Sequence, residues 1–214
     1  MKSFLPVIIV TVSLAAASVP DLDYYPLAVG NEWAYASIEL KVGPDSVATP
    51  RAGSVHKFRV VGLVASPGAD TTFMLEHTTY AYDQLRERPW VKSVLSSFTF
   101  YVRRTASGLY QRGESEPNAP SDTELIFPFK AGDTWTIRRD GQTVSERTFV
   151  GRDSVNVPAG EFTDVWLVRE LRAGALRSEH WYARDVGMVR SRIETRSGDK
   201  LFVTLHELIS FRTD

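Results

Sequence analysis

Apolar and polar residues alternate with a period of two along most of this chain, the pattern of strands half buried in a sheet. Over 55–64 one face carries His56, Phe58, Val60, Gly62 and Val64. Over 94–104 Val94, Phe98, Phe100 and Val102 share a face, while Ser97, Thr99, Tyr101 and Arg103 take the other. Over 200–209 Leu201, Val203, Leu205 and Ile209 oppose Phe202, Thr204 and His206. Segments 71–80, 134–139, 143–150, 162–171, 176–183 and 187–195 follow the same rule. Turn signals separate them: Pro67-Gly68, Asp140-Gly141, Pro158-Ala159-Gly160, Ala173-Gly174, Asp185-Val186-Gly187 and Ser197-Gly198-Asp199. Short strands with such turns, and no βαβ alternation, predict an antiparallel meander. The fold class is therefore all-β, with at most one short helix, as a curved open sheet or half-barrel. Residues 43–54 and 113–122 read as loops, and 83–96 as a short helix or ordered loop in which Pro89 bars a long helix.

The chain repeats itself once. Tyr25-Pro26-Leu27-Ala28-Val29-Gly30-Asn31-Glu32-Trp33 matches Phe127-Pro128-Phe129-Lys130-Ala131-Gly132-Asp133-Thr134-Trp135. In both, a Pro fixes φ, a Gly-Asn or Gly-Asp pair turns the chain, and a Trp enters a strand. Phe58 to Gly62 then resembles Arg147 to Gly151, and Phe100 to Arg103 resembles Trp181 to Arg184. The expected organisation is a first β half over 18–112, a linker over 113–122 and a second β half over 123–214, packed as one unit.

The first 17 residues stand apart. Lys2 precedes a largely apolar run from Phe4 to Leu14, and Ala15-Ala16-Ala17 meets the small-residue rule for cleavage after Ala17 or Ser18. Pro20 and Asp21 end the run short of the roughly 20 residues that a spanning helix needs. Residues 1–17 therefore read as a signal peptide. The expected location is periplasmic or extracellular and soluble, with no transmembrane segment after cleavage.

Composition then narrows the function classes. The chain has 25 Lys and Arg against 26 Asp and Glu, net −1, so nucleic acid is not an expected partner. It has no cysteine, which excludes disulfides, Cys-ligated metals, catalytic thiols and a cysteine-borne lipid anchor.

Val155-Asn156-Val157-Pro158-Ala159-Gly160-Glu161-Phe162 and Trp181-Tyr182-Ala183-Arg184-Asp185-Val186-Gly187-Met188-Val189 follow the Pro–Gly–Trp units in order. Together these motifs resemble a group of exported bacterial β-domain proteins of unknown function. Arg184-Asp185 stands where that group often carries Pro or Gly. More distantly, the layout is similar to periplasmic lipoprotein-localisation factors, whose curved sheet offers a concave apolar face to lipid chains. The resemblance implies an exported β-domain protein, and the more distant likeness rests on architecture, which does not fix function.

Chemistry is sparse in the sequence. His56, His77, His180 and His206 form no His-Glu-x-x-His or other close ligand pair. Glu76-His77, Glu179-His180 and His206-Glu207 are neighbours that point to opposite faces of a strand. A cross-strand site joining His180 and His206 stays open at this level, but no metal or other cofactor is expected. There is no Gly-x-Ser-x-Gly elbow and no phosphate loop, so no catalytic residues are assigned and the chain does not read as an enzyme. The candidate ligand-binding residues are Trp90, Phe98 and Phe100, with Arg86 and Arg88 from a basic cluster that also holds Lys92, Arg103, Arg104 and Arg112. The leading reading is a non-catalytic exported protein binding a lipid or other apolar ligand, or an envelope partner chain. A structural or adhesive envelope module is the alternative, and a hydrolase of envelope polymers the third.

Overall fold

The computed structural model describes residues 22–43, 48–64, 70–81, 93–112, 122–139, 142–172 and 176–213. After a 3-10 turn at Leu22–Tyr24 come β1 (Glu32–Val42), β2 (Ala48–Val64), β3 (Thr71–Ala81), β4 (Val94–Thr105), β5 (Gly108–Arg112) and β6 (Asp122–Ile126). The second series is β7 (Thr134–Arg139), β8 (Gln142–Val157), β9 (Gly160–Arg172), β10 (Leu176–Ala183), β11 (Gly187–Ser197) and β12 (Lys200–Arg212). All pairings are antiparallel within one sheet, in the order β6-β5-β4-β3-β2-β1-β12-β11-β10-β9-β8-β7. The meander predicted from alternation is thus present, and the sheet curls further than a half-barrel, into a nearly closed barrel.

One ladder joins the two series: β1 pairs with β12 from Glu32↔Arg212 to Val42↔Leu201. At the opposite side β6 and β7 approach without a ladder. There the Trp135 indole N–H donates to the Thr123 carbonyl (3.2 Å) and the Arg147 guanidinium to the Glu124 carbonyl (2.7 Å).

The two Pro–Gly–Trp turns make the same three backbone hydrogen bonds. Gly30 N–H donates to Val60, Asn31 N–H to Ala28, and Val60 N–H to Asn31; Gly132 N–H donates to Phe149, Asp133 N–H to Lys130, and Phe149 N–H to Asp133. Gly30 (φ 102°) and Gly132 (φ 87°) occupy the left-handed region, which glycine enters at no steric cost. Val60 and Phe149 each precede a bulge whose extra residue is an exposed valine, Val61 or Val150.

One expectation needs correction. The loop read over 43–54 ends early, because 48–54 continue β2 opposite β1. Composition misled there: Pro50 lies beside a bulge at Arg51, on a stretch of β2 that β3 does not reach. A proline without N–H is tolerated at such an edge. On β12 the two opposing sets read from alternation are present: His206 turns toward the cavity, and Leu201, Val203 and Leu205 take the other face, where Val203 is buried. Leu208, fully buried, continues the face of His206, and the bulge at Ile209 shifts the alternation after it, so that Phe211 pairs with Trp33. The Leu208 carbonyl accepts the Ala159 N–H, tying the β8–β9 hairpin tip across β12.

An aromatic cluster packs around Phe149 of β8. Phe149 is fully buried with Phe129 at 4.5 Å, Trp135 at 4.8 Å and Trp166 at 5.7 Å between ring centroids. Tyr24 closes over Phe129 at 5.2 Å. Phe149→Ala should therefore lower stability by about 3–5 kcal/mol, the usual cost of truncating a buried aromatic. Val150→Ala, one residue along and facing solvent, should stay within about 0.5 kcal/mol. Urea denaturation of both variants checks the contrast.

Candidate functional site

Six strands of the first series and three of the second leave a cavity of about 420 Å³ inside the barrel. Its apolar wall comes from Trp33 on β1, Phe58 on β2, Leu75 on β3, Phe98 and Phe100 on β4, and Met188 and Ile193 on β11. Tyr25, Tyr35 and Tyr182 add phenol rings. Two of their hydroxyls are spoken for: Tyr35 donates to the Met188 carbonyl (2.8 Å), and Tyr182 lies 3.5 Å from Glu124.

All four histidines of the chain line this one cavity. His56 and His77 come from adjacent strands, with His56 Nδ1 2.9 Å from His77 Nε2. Ser54 Oγ meets His56 Nε2 at 2.8 Å. Phe58 stacks on the His77 ring at 4.3 Å and 5°, while Phe98 meets it edge-on at 4.7 Å. His206 meets His56 edge-on at 5.3 Å. On β10, Ser178 Oγ lies 2.9 Å from His180 Nε2, and the buried His180 Nδ1 has no hydrogen-bond partner. Each acid neighbour (Glu76, Glu179, Glu207) faces the other way, as alternation requires. Glu179 and Glu207 pair there with Arg169 and Arg190.

Burial disfavours the charged imidazole, lowering the pKa of His56 and bringing His77, His180 and His206 down to about 4. Each of His77 and His206 is lowered further by neighbouring histidines. All four are therefore neutral at pH 7. Burial likewise pushes the phenols of Tyr25, Tyr35 and Tyr182 above their ordinary range.

The one ionised lining residue among those described is Glu124. It is the extra residue of the β5–β6 bulge, which turns its side chain inward. Burial alone would raise its pKa, but Arg147 outweighs that and holds it below the ordinary value. Arg147 reaches Glu124 at 2.9 Å and Glu170 at 2.7 Å, and Arg172 holds the other Glu170 oxygen at 2.9 Å.

Of the residues proposed from sequence, Phe98 and Phe100 lie together on the cavity wall. Trp90, Arg86 and Arg88 fall outside the described residues. Arg103 and Arg104 of the basic cluster are engaged singly, over Tyr110 and Phe73. Sequence reading missed the convergence of the histidines, although alternation had already placed His56 on the face of Phe58. Among the described residues no group of three His, Asp or Glu side chains is placed to hold a metal ion. None of the described helical segments is long and apolar enough to cross a membrane.

No family model matches the sequence, and no curated relative matches it. Two solved structures are similar in shape. One, from Bacteroides fragilis, is described as an exported protein with a YmcC-like fold; it shares 16% identity, covering 88% of this chain and 98% of its own, with a TM-score of 0.49. The other, from Parabacteroides distasonis, is described as a lipoprotein; it shares 13% identity over the same shares of both chains, with a TM-score of 0.47.

The histidines make stability depend on pH. Unfolded imidazoles take up protons near pH 6.5, while folded His77, His180 and His206 resist until about 4. Between these values the unfolded state binds more protons, so stability falls as pH falls. Glu124 and Glu170, held below their ordinary 4.5, lose their contribution only at lower pH. Melting temperature should therefore decline from pH 6.5 toward 4, before the carboxylates protonate. A thermal-melt series in that window checks it, and a flat profile would mean that the imidazoles are solvated.

Proposed function

We propose that this is an exported, non-catalytic β-barrel protein that binds an apolar or amphipathic small molecule in its interior. The observation that carries the reading is the cavity: about 420 Å³, walled mainly by aromatic and aliphatic side chains, with a few convergent polar groups. Small-molecule sites have this size and composition, roughly 300–1,000 Å³ with few polar anchors. A barrel maintained only as a structural or adhesive module gains nothing from such a space, since interiors otherwise pack to crystal density. The amino-terminal signal pattern supports export. Phe98, 37% exposed, forms the rim, and Phe100, 6% exposed, lies deeper.

One observation favours a hydrolase as the second reading. Ser54, His56 and His77 form a hydrogen-bonded chain in the order of nucleophile, base and orienting group. Acyl transfer also needs donors aimed at the developing oxyanion. Ser54 sits on β2 between β1 and β3, so the amides around it serve the ladder, and Ser54 is not among the residues lining the cavity. Binding is therefore preferred.

N-phenyl-1-naphthylamine, an uncharged apolar fluorophore, tests the binding reading. Its emission should rise on saturable one-to-one binding. Phe98→Glu, which sets a carboxylate at the rim, should weaken binding at least tenfold, whereas the exposed control Leu95→Glu should not. Absence of saturable binding, or equal loss in both variants, would sink the proposal. Covalent labelling of Ser54 by a fluorophosphonate would promote the hydrolase instead.

A further inference from the structure

We infer that the cavity selects a neutral amphiphile with a hydroxyl head group, an alcohol, over one with a carboxylate or phosphate. This rests on the binding reading above and names the ligand class for that same cavity. The first support is the arrangement of polar residues. In strand register Ser54 lies opposite Ser37, Ser37 opposite His206, His206 opposite Ser191, and Ser191 opposite His180. These five residues make one belt across β2, β1, β12, β11 and β10 on the inner face, and His206, Ser191 and His180 of the belt line the cavity itself. A belt of hydroxyls and imidazoles carries donors and acceptors but no fixed charge.

The second support is the lack of a counter-charge. Among the described residues the cavity wall carries no Lys or Arg, and the one ionised group there, Glu124, is negative. Arg147, the nearest guanidinium to that carboxylate, already spans Glu124 and Glu170. An anionic head would enter an apolar space beside the Glu124 carboxylate with no cation on the described wall to pair it, and an unpaired buried charge is disfavoured.

The third support is His180. Its Nδ1 is buried without a partner while Nε2 is held by Ser178. A neutral imidazole has one donor and one acceptor nitrogen, so Nδ1 takes either role according to tautomer. A hydroxyl both donates and accepts and satisfies Nδ1 in both cases, whereas a carboxylate only accepts. The imidazoles stay uncharged at neutral pH because they are buried, so they offer an anion no compensation. The alkyl or aryl body of such an alcohol meets Phe58, Phe98, Phe100 and Leu75.

The test uses the full chain after removal of its amino-terminal signal, at pH 7.5, with bound N-phenyl-1-naphthylamine displaced by 1-decanol or by decanoate. The two share a chain and differ in the head. Decanol should displace the probe at a concentration at least tenfold lower. Decanoate acting equally well or better would overturn the inference, and so would a bound probe that neither displaces. Failure of the probe itself to bind would overturn the broader binding reading, so the two failures are distinguishable. His180→Leu should weaken decanol about three- to tenfold relative to the probe, the worth of one hydrogen bond, with the probe's own affinity for the variant measured alongside as the reference. Unaltered decanol affinity in a folded His180→Leu protein would remove His180 from the site. If that variant does not fold, the wild-type comparison decides alone.

Discussion

Arg147 closes the barrel. A twelve-stranded sheet has two edges, β6 and β7, and no ladder joins them. The guanidinium from β8 reaches the Glu124 carbonyl and carboxylate on β6 and the Glu170 carboxylate on β9, so one side chain ties the last strand of the first series to the second series. Buried ion pairs of this kind add little net stability over an apolar substitute, but removing one partner strands the others without water. Here that dependence is acute, because Arg147 serves two carboxylates at once. Closure also decides what the interior can be: with this seam held, β4 and β10 to β12 face each other across a shared space.

That space is an exception to the packing around it. Phe129, Phe149, Trp135 and Trp166 fill one region of the barrel at ordinary aromatic contact distances. Phe58, Phe98, Phe100, His56, His77 and His206 touch one another along the wall, with His180 farther round it, yet they do not fill the middle. The division lets the stacked imidazoles stay neutral and desolvated while polar atoms still face the void. Bulges help to produce this arrangement. The one at Glu124 turns a carboxylate inward, and the one at Val189 shifts β11 so that Met188 and Ser191 both meet the cavity.

The sequence made much of the architecture legible, because alternation and turn dipeptides are local signals. The Gly30-Asn31 and Gly132-Asp133 turns were readable to the residue, and so was the shared face of Phe98 and Phe100. The β2 extension was not, because Pro50 reads as a breaker unless the edge position and the Arg51 bulge are known. On β12 alternation gave two opposing faces without choosing between them, and only pairing with β1 settles which one turns inward. The site was least legible. His56, His77, His180 and His206 are spread over most of the chain, and their convergence is a property of strand order, which periodicity does not encode. The Arg147–Glu124–Glu170 bridge is hidden in the same way.

The β1–β12 ladder has a consequence for how the molecule comes into being. Its register joins Glu32 to Arg212, so the first strand made must wait for the last. Until the final residues emerge, β1 can pair only with β2, and its other edge offers unsatisfied amides and carbonyls to any extended chain nearby. Contacts this far apart in sequence are closed late and slowly, because chain entropy must be lost before they form. The molecule therefore begins as an open ribbon, and its interior exists only once β1 and β12 have met.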